Sequence, residues 1–281
     1  MRRTIKSGNV TEKVQFFVGN RKPRKDRVKG SSTLKQKLKN VNNAVRRLAR
    51  IFNCNIQPGW VLLTLTYDEK HLPSSPTEAA RQVGNFIRRA KRQGFEMQGV
   101  WITADKDKDG TIKRLHHHVV CSGEGLRMEY EGGKLSKIFA GKKELKDIWR
   151  NGFVEVEPIT HEDDYTNLAA YLVKQAVNDV DAKKWHASLG LKQPEIVKEE
   201  VLDHISELRA PGGADVREVS HFDAETGTQY IRYVAKKRNR PPAAKLNMSD
   251  GPGFGTVEVD ALDVMIWLTR EEHREVHNDG Y

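Results

Sequence analysis

The sequence predicts an α+β fold built on a single antiparallel sheet, and three observations predict it. Four runs read as strands: Trp60 to Tyr67, Gly99 to Thr103, Arg114 to Cys121 and Phe153 to Glu157. Two helical patterns separate the first run from the second and the third from the fourth. The second and third runs are joined by a short acidic turn, Asp105 to Gly110. The order strand, helix, strand, strand, helix, strand is the split βαβ, or ferredoxin-like (βαββαβ), plan, in which the first and third strands lie in the middle and both helices cover one face. A further helix carrying Tyr171 follows the fourth strand.

Taken in order, residues 1–32 read as a basic N-terminal arm, with a short strand possible over Val14 to Val18 and Pro23, Gly30, Ser31 and Ser32 as punctuation. From Leu34 to Phe52 the apolar residues Leu34, Leu38, Val41, Val45, Leu48 and Ile51 recur at three and four, a basic amphipathic helix that could offer Arg46, Arg47 and Arg50 to phosphates. Trp60 to Tyr67 has little alternation, which suits a strand buried on both faces. Ser75, Pro76 and Glu78 make a helix start of N-cap, first-position proline and capping box, and Gly94 is the stop. Ala80, Val83, Ile87 and Ala90 form the expected core face of that helix. Leu145, Ile148 and Trp149 mark a second, short helix, and Phe153 to Glu157 alternates as a strand. Thr160 with Asp163 resembles a capping box opening the helix that carries Tyr171 and Lys174, neighbours on one face at a spacing of three. The expected domains are the arm at 1–32, a main domain with its leading basic helix at 33–178, and a C-terminal extension at 179–281 to which no chemistry is assigned.

The chain has 281 residues and a formal charge of +10. Residues 1–50 hold 16 Lys and Arg against 2 Asp and Glu, leaving the remainder slightly acidic. A basic block of this kind suits a polyanion, DNA or RNA, or else is a solvated tail. Two cysteines, Cys54 and Cys121, cannot build a disulfide framework or a thiolate zinc site and read as reduced thiols. The first residues lack the apolar core of a signal peptide, and the longest apolar run is too short to cross a bilayer, so the expected location is cytoplasmic.

The chemistry centres on His116-His117-His118, which leads into Val119-Val120-Cys121. Strand side chains alternate, so His116 and His118 share a face, about 7 Å apart along the strand, while His117 points the other way. Two imidazoles at that spacing can share a divalent cation. A one-residue slip would instead make His117 the ligand. Asp105 is the first candidate for a third ligand, with Asp107 and Asp109 as rivals. Thr64 and Thr66 alternate with leucines and can face the same site.

Three stretches together resemble the HUH endonucleases: Leu63-Thr64-Leu65-Thr66-Tyr67-Asp68 with the trailing His71-Leu72-Pro73, then His116-His117-His118, then Tyr171-Leu172-Val173-Lys174. The resemblance runs from about Val45 to Asn178. It is nearest the single-tyrosine initiators of rolling-circle replication found in phages and mobile elements. His117 departs from the pattern, which usually has a bulky apolar residue there. The resemblance implies Mg²⁺ or Mn²⁺ held by His116 and His118, with Tyr171 as nucleophile on single-stranded DNA. It also implies a 5′-phosphotyrosine intermediate, with Lys174 stabilising charge or positioning DNA. Partners implied are single-stranded and origin hairpin DNA, with a host DNA polymerase and helicase in a bacterial cell. No membrane and no small-molecule cofactor is implied. Two competing readings are a relaxase or single-tyrosine transposase with the same site, and a basic nucleic-acid-binding regulator that does not cut.

Overall fold

The computed structural model describes residues 1–17, 34–106, 111–131, 134–176, 185–202, 204, 206–223 and 227–235. In chain order its elements are β1 (Arg2–Ser7), β2 (Val10–Phe16), α1 (Leu34–Asn55), β3 (Trp60–Thr66), α2 (Pro76–Arg92), β4 (Gly99–Lys106) and β5 (Ile112–Ser122). They continue with β6 (Leu126–Glu131), β7 (Lys134–Ala140), β8 (Lys143–Glu144), α3 (Leu145–Trp149), β9 (Val154–Pro158) and α4 (Thr166–Gln175). The last four are β10 (His186–Ala187), β11 (Glu195–Glu200), β12 (Asp215–Asp223) and β13 (Thr228–Val234). Backbone contacts divide the chain into two units. One comprises Met1–Cys54, Glu162–Asn167 and the chain from Lys192; the other comprises Asn55–His161 and Leu168–Leu191. Among the described residues no helix is long and apolar enough to cross a membrane.

The second unit is the α+β core that the sequence predicts. Its sheet runs β10-β4-β5-β3-β9, with β3 and β5 inside and every pair antiparallel. The odd-numbered residues Leu63, Leu65 and Val119 share a core with Val83, Phe86 and Ala90 of α2 and Ile148 and Trp149 of α3. That is the helix-covered face. Val83, Phe86 and Ala90 recur at helical spacing, so one stripe of α2 is buried. Ala79, not the expected Ala80, completes the stripe. The small sheet β6-β7-β8 is inserted between β5 and α3, where the sequence predicts no element.

The first unit corrects the reading of residues 1–32 as an arm. Over Arg2–Phe16 the chain is a hairpin inside a five-stranded sheet, β11-β1-β2-β13-β12. Gly8 turns the hairpin at φ 57°, and a Cβ there would sit 2.1 Å from the Asn53 carbonyl oxygen. The strands expected to lie in a C-terminal extension therefore pair with the N-terminus. The leading helix α1 clusters with this sheet apart from the histidine unit; only its last residue, Asn55, counts there.

Candidate active site

Register fixes which face each histidine takes. On β3, Thr66 lies opposite His116 and Thr64 opposite His118. On β4, Ala104 and Ile102 face the same two histidines. Paired residues in an antiparallel ladder point to one side. One face therefore carries Thr64, Thr66, His116 and His118, with the two imidazole rings 4.9 Å apart and nearly perpendicular.

His117 points into the helix-covered core and is fully buried. Its Nε2 bonds the Tyr67 hydroxyl at 2.7 Å and its Nδ1 the Thr103 hydroxyl at 3.1 Å. Trp149 meets the ring edge-on at 5.7 Å. Burial, and after it the neighbouring His116 and His118, push this imidazole down to about 3, so it stays neutral. The slipped register is thereby excluded: His117 packs in the core and offers neither nitrogen to a ligand.

The two outward histidines are held differently. Nδ1 of His116 lies 2.9 Å from the Arg114 carbonyl oxygen, which requires the proton on Nδ1 and leaves the lone pair on Nε2. His118 sits between Thr64 Oγ1, 3.2 Å from its Nδ1, and Gln175 Oε1, 2.8 Å from its Nε2. Gln175 is absent from the residues that the sequence nominates. It lies four residues after Tyr171, one helical turn on, and that spacing is the signal that could have found it. The residue is buried, and its Nε2 has no hydrogen-bond partner among the described residues. Tyr171 brings its ring to 5.9 Å from that of His118. A bridge between Ala104 and Ala176 ties the end of α4 to the outer edge of β4.

These groups border a cleft of about 630 Å³. Lys106, Lys113 and Arg114 give it a cationic wall, and Glu155 and Glu157 of β9 line it as well. Burial first, then Glu155, raises the Glu157 carboxyl above the usual range. Among the described residues no three His, Cys, Asp or Glu side chains converge as a metal cluster. The donors that do converge are two imidazoles and one amide oxygen.

Residues 60–178 match the model of a family described as replication-associated protein of the ORF2 type. That segment is a replication-associated protein domain. No curated protein and no solved structure matches the chain. The replication-associated segment runs from β3 past the end of α4 and contains every residue that lines the cleft.

The remaining predicted residues fall as follows. Asp105 is not on the cleft. It is one residue out of step with Ile102 and Ala104, its carboxylate pairs with Lys106 at 3.1 Å, and Lys106 takes the cleft wall instead. The expected third ligand is corrected accordingly; its rivals Asp107 and Asp109 lie outside the described residues. Lys174 is half-buried on α4 and does not line the cleft. Arg46 and Arg50, expected to face phosphate, are turned to protein carboxylates. Arg50 donates Nε and Nη2 to buried Glu12 at 2.9 and 2.5 Å, and Tyr230 donates its hydroxyl to the same carboxylate. Arg46 pairs with Glu218 at 2.6 Å and lies 3.9 Å over the Tyr230 ring. Arg47 is half-buried, and no salt bridge involves it among the described residues.

Proposed function

We propose that this replication-associated chain nicks and rejoins single-stranded DNA to initiate rolling-circle replication of a phage, plasmid or mobile element, through a tyrosyl-phosphate intermediate on Tyr171. The observation that carries the reading is the placement of the Tyr171 ring beside His118, in a cleft shared with His116 and a buried amide. The donor set suits a divalent cation, Mg²⁺ or Mn²⁺. The Nε2 lone pair of His116 is free of hydrogen, Nε2 of His118 faces an amide oxygen, and the Gln175 amide has an unspent donor buried beside it. His116, His118 and Gln175 Oε1 would hold the ion. When bound, it draws charge from the non-bridging oxygens of the scissile phosphate.

The chain's own groups supply the rest. Lys106, Lys113 and Arg114 favour the phosphodiester backbone at the cleft wall. Thr64 orients His118, fixing the ring through Nδ1 while Nε2 faces the site. Oη of Tyr171 attacks phosphorus; the Oη–P bond forms and the bond from phosphorus to the 3′ oxygen breaks. The phenol's proton is balanced by the one gained at the 3′-hydroxyl. The phosphotyrosyl ester keeps the bond energy for a second transfer that reseals a strand.

The experiment is a search for a covalent adduct. The protein is incubated with Mn²⁺ and single-stranded fragments of the genetic element that encodes it, then resolved under denaturing conditions. Wild type is expected to give a DNA–protein band that Tyr171→Phe and chelator both abolish. Binding with no adduct at any metal concentration would establish the non-cutting regulator instead.

A further inference from the structure

A second concavity, of about 220 Å³, lies on the helix-covered side of the same unit, between the C-terminal turn of α2 and the segment β8–α3. Arg89, Arg92, Lys143 and Arg150 line it, against one carboxylate, Asp147. Their neighbours are balanced: Lys91 pairs with Glu96 at 2.6 Å and Lys146 with Glu144 at 3.2 Å. The four lining cations have no ion pair among the described residues. Arg89 donates Nε to the Ile148 carbonyl at 2.7 Å and Nη2 to that of Trp149 at 2.9 Å, which fixes its guanidinium at the pocket. Burial first, then the charges of Arg150 and Arg92, make Arg89 easier to deprotonate than a free arginine, the mark of an uncompensated positive field. Arg150 is the one described non-glycine residue at positive φ, 69°, where a helix ordinarily ends on glycine. Lys143 is brought in by a tight approach: a Cβ on Gly141 would lie 2.4 Å from the Gln93 carbonyl oxygen.

We propose that this pocket grips a backbone phosphate of DNA flanking the strand held in the cleft, on the layer opposite the histidines. The proposal rests on the reading that the chain acts on DNA, and it adds a contact that the cleft does not supply. Arg92, Lys143 and Arg150 are exposed at its rim, so the site is open to a polymer. Planar guanidiniums suit phosphate oxygens, which accept paired N–H donors.

The test uses full-length protein and a mixed-sequence DNA hairpin with a single-stranded extension, titrated by fluorescence anisotropy over a range of salt. The double variant Arg92→Gln/Lys143→Gln is expected to lose about tenfold in affinity and about one unit of log–log salt slope, the signature of one lost phosphate contact. The control, Arg81→Gln/Lys91→Gln, removes the same charge from exposed positions of α2 outside the pocket and is expected to change both far less. Equal losses from the two double variants would reduce the pocket to a diffuse field and overturn the proposal, as would no loss from either. Saturable uptake of inorganic phosphate that hairpin DNA does not displace would overturn it too, by making the ligand a free anion. The adduct assay separates this idea from the catalytic one. An adduct retained beside unchanged hairpin binding sinks the pocket alone; pocket-dependent binding without adduct sinks the chemistry alone.

Discussion

The trio Tyr67, His117 and Thr103 shows how one unusual residue in a histidine run is accommodated. A neutral imidazole has one donor and one acceptor, and two buried hydroxyls use both. His117→Leu keeps volume but strands the two hydroxyls, and is expected to cost about 1–3 kcal/mol. The pH response has a definite sign. An unfolded imidazole takes a proton near 6.5, whereas the folded one does so only at about 3. Between those values the unfolded state binds more protons, so acidification removes stability, by at most about 1.4 kcal/mol per pH unit. Urea unfolding of wild type and His117→Leu from pH 7 to 4 should therefore show the gap narrowing as pH falls. Parallel profiles would mean that His117 is not the neutral group described. Parity alone makes the faces of His116, His117 and His118 readable from sequence. It fails at Asp105, because the β4–β5 register shifts between Ala104 and Lys106 next to the turn, and no spacing reveals a bulge. Gln175 stays hidden because an uncharged amide carries no titration signal of its own.

At the scale of elements, punctuation is the most legible feature. Ser75 adopts extended backbone and its hydroxyl accepts from the Glu78 N–H at 3.2 Å, as the cap pattern predicts. Glu78 does not close the box on Ser75. It reaches one residue further back, accepting from the N–H of Ser74 at 2.9 Å and its hydroxyl at 2.8 Å. Those two bonds hold its carboxyl below the usual range. Ser75→Ala is expected to lower stability by about 1 kcal/mol, read as a shifted urea midpoint with an unchanged slope. A midpoint that stays put would show that the Ser74–Glu78 bonds alone start α2. The start of α4 departs from its predicted place for a related reason. Thr160 and Asp163 have the spacing of a box, but the helix opens at Thr166, where Asp164 accepts from the Thr166 N–H at 3.1 Å. Short polar residues crowd that stretch, and only the fold decides which of them caps.

On the scale of the whole chain, the feature hidden from sequence is a sheet assembled from both ends of the chain. β1 and β2 mix charged with apolar residues, and their partners β11 and β13 lie about two hundred positions away, so neither pattern nor proximity announces the pairing. Its interior polar cluster also absorbs cations that charge counting assigns to DNA. With Arg46 and Arg50 spent on Glu218 and Glu12, the basic run still available to a polyanion is Arg21, Lys22, Arg24, Lys25, Arg27 and Lys29, against Asp26. Two variants divide charge from fold. Deleting residues 1–32 removes two inner strands and the carboxylate that Arg50 and Tyr230 share, so loss of the cooperative unfolding transition of that sheet is expected, and weak DNA binding by this variant says nothing about charge. Replacing the six cations by glutamine leaves every described contact in place. It should keep the thermal transition while flattening the salt dependence of hairpin binding by more than about one unit, since each phosphate contact contributes roughly 0.9. A neutralised protein that binds with the wild-type salt slope would move the whole electrostatic share of DNA binding to the cleft wall and the α2–α3 pocket.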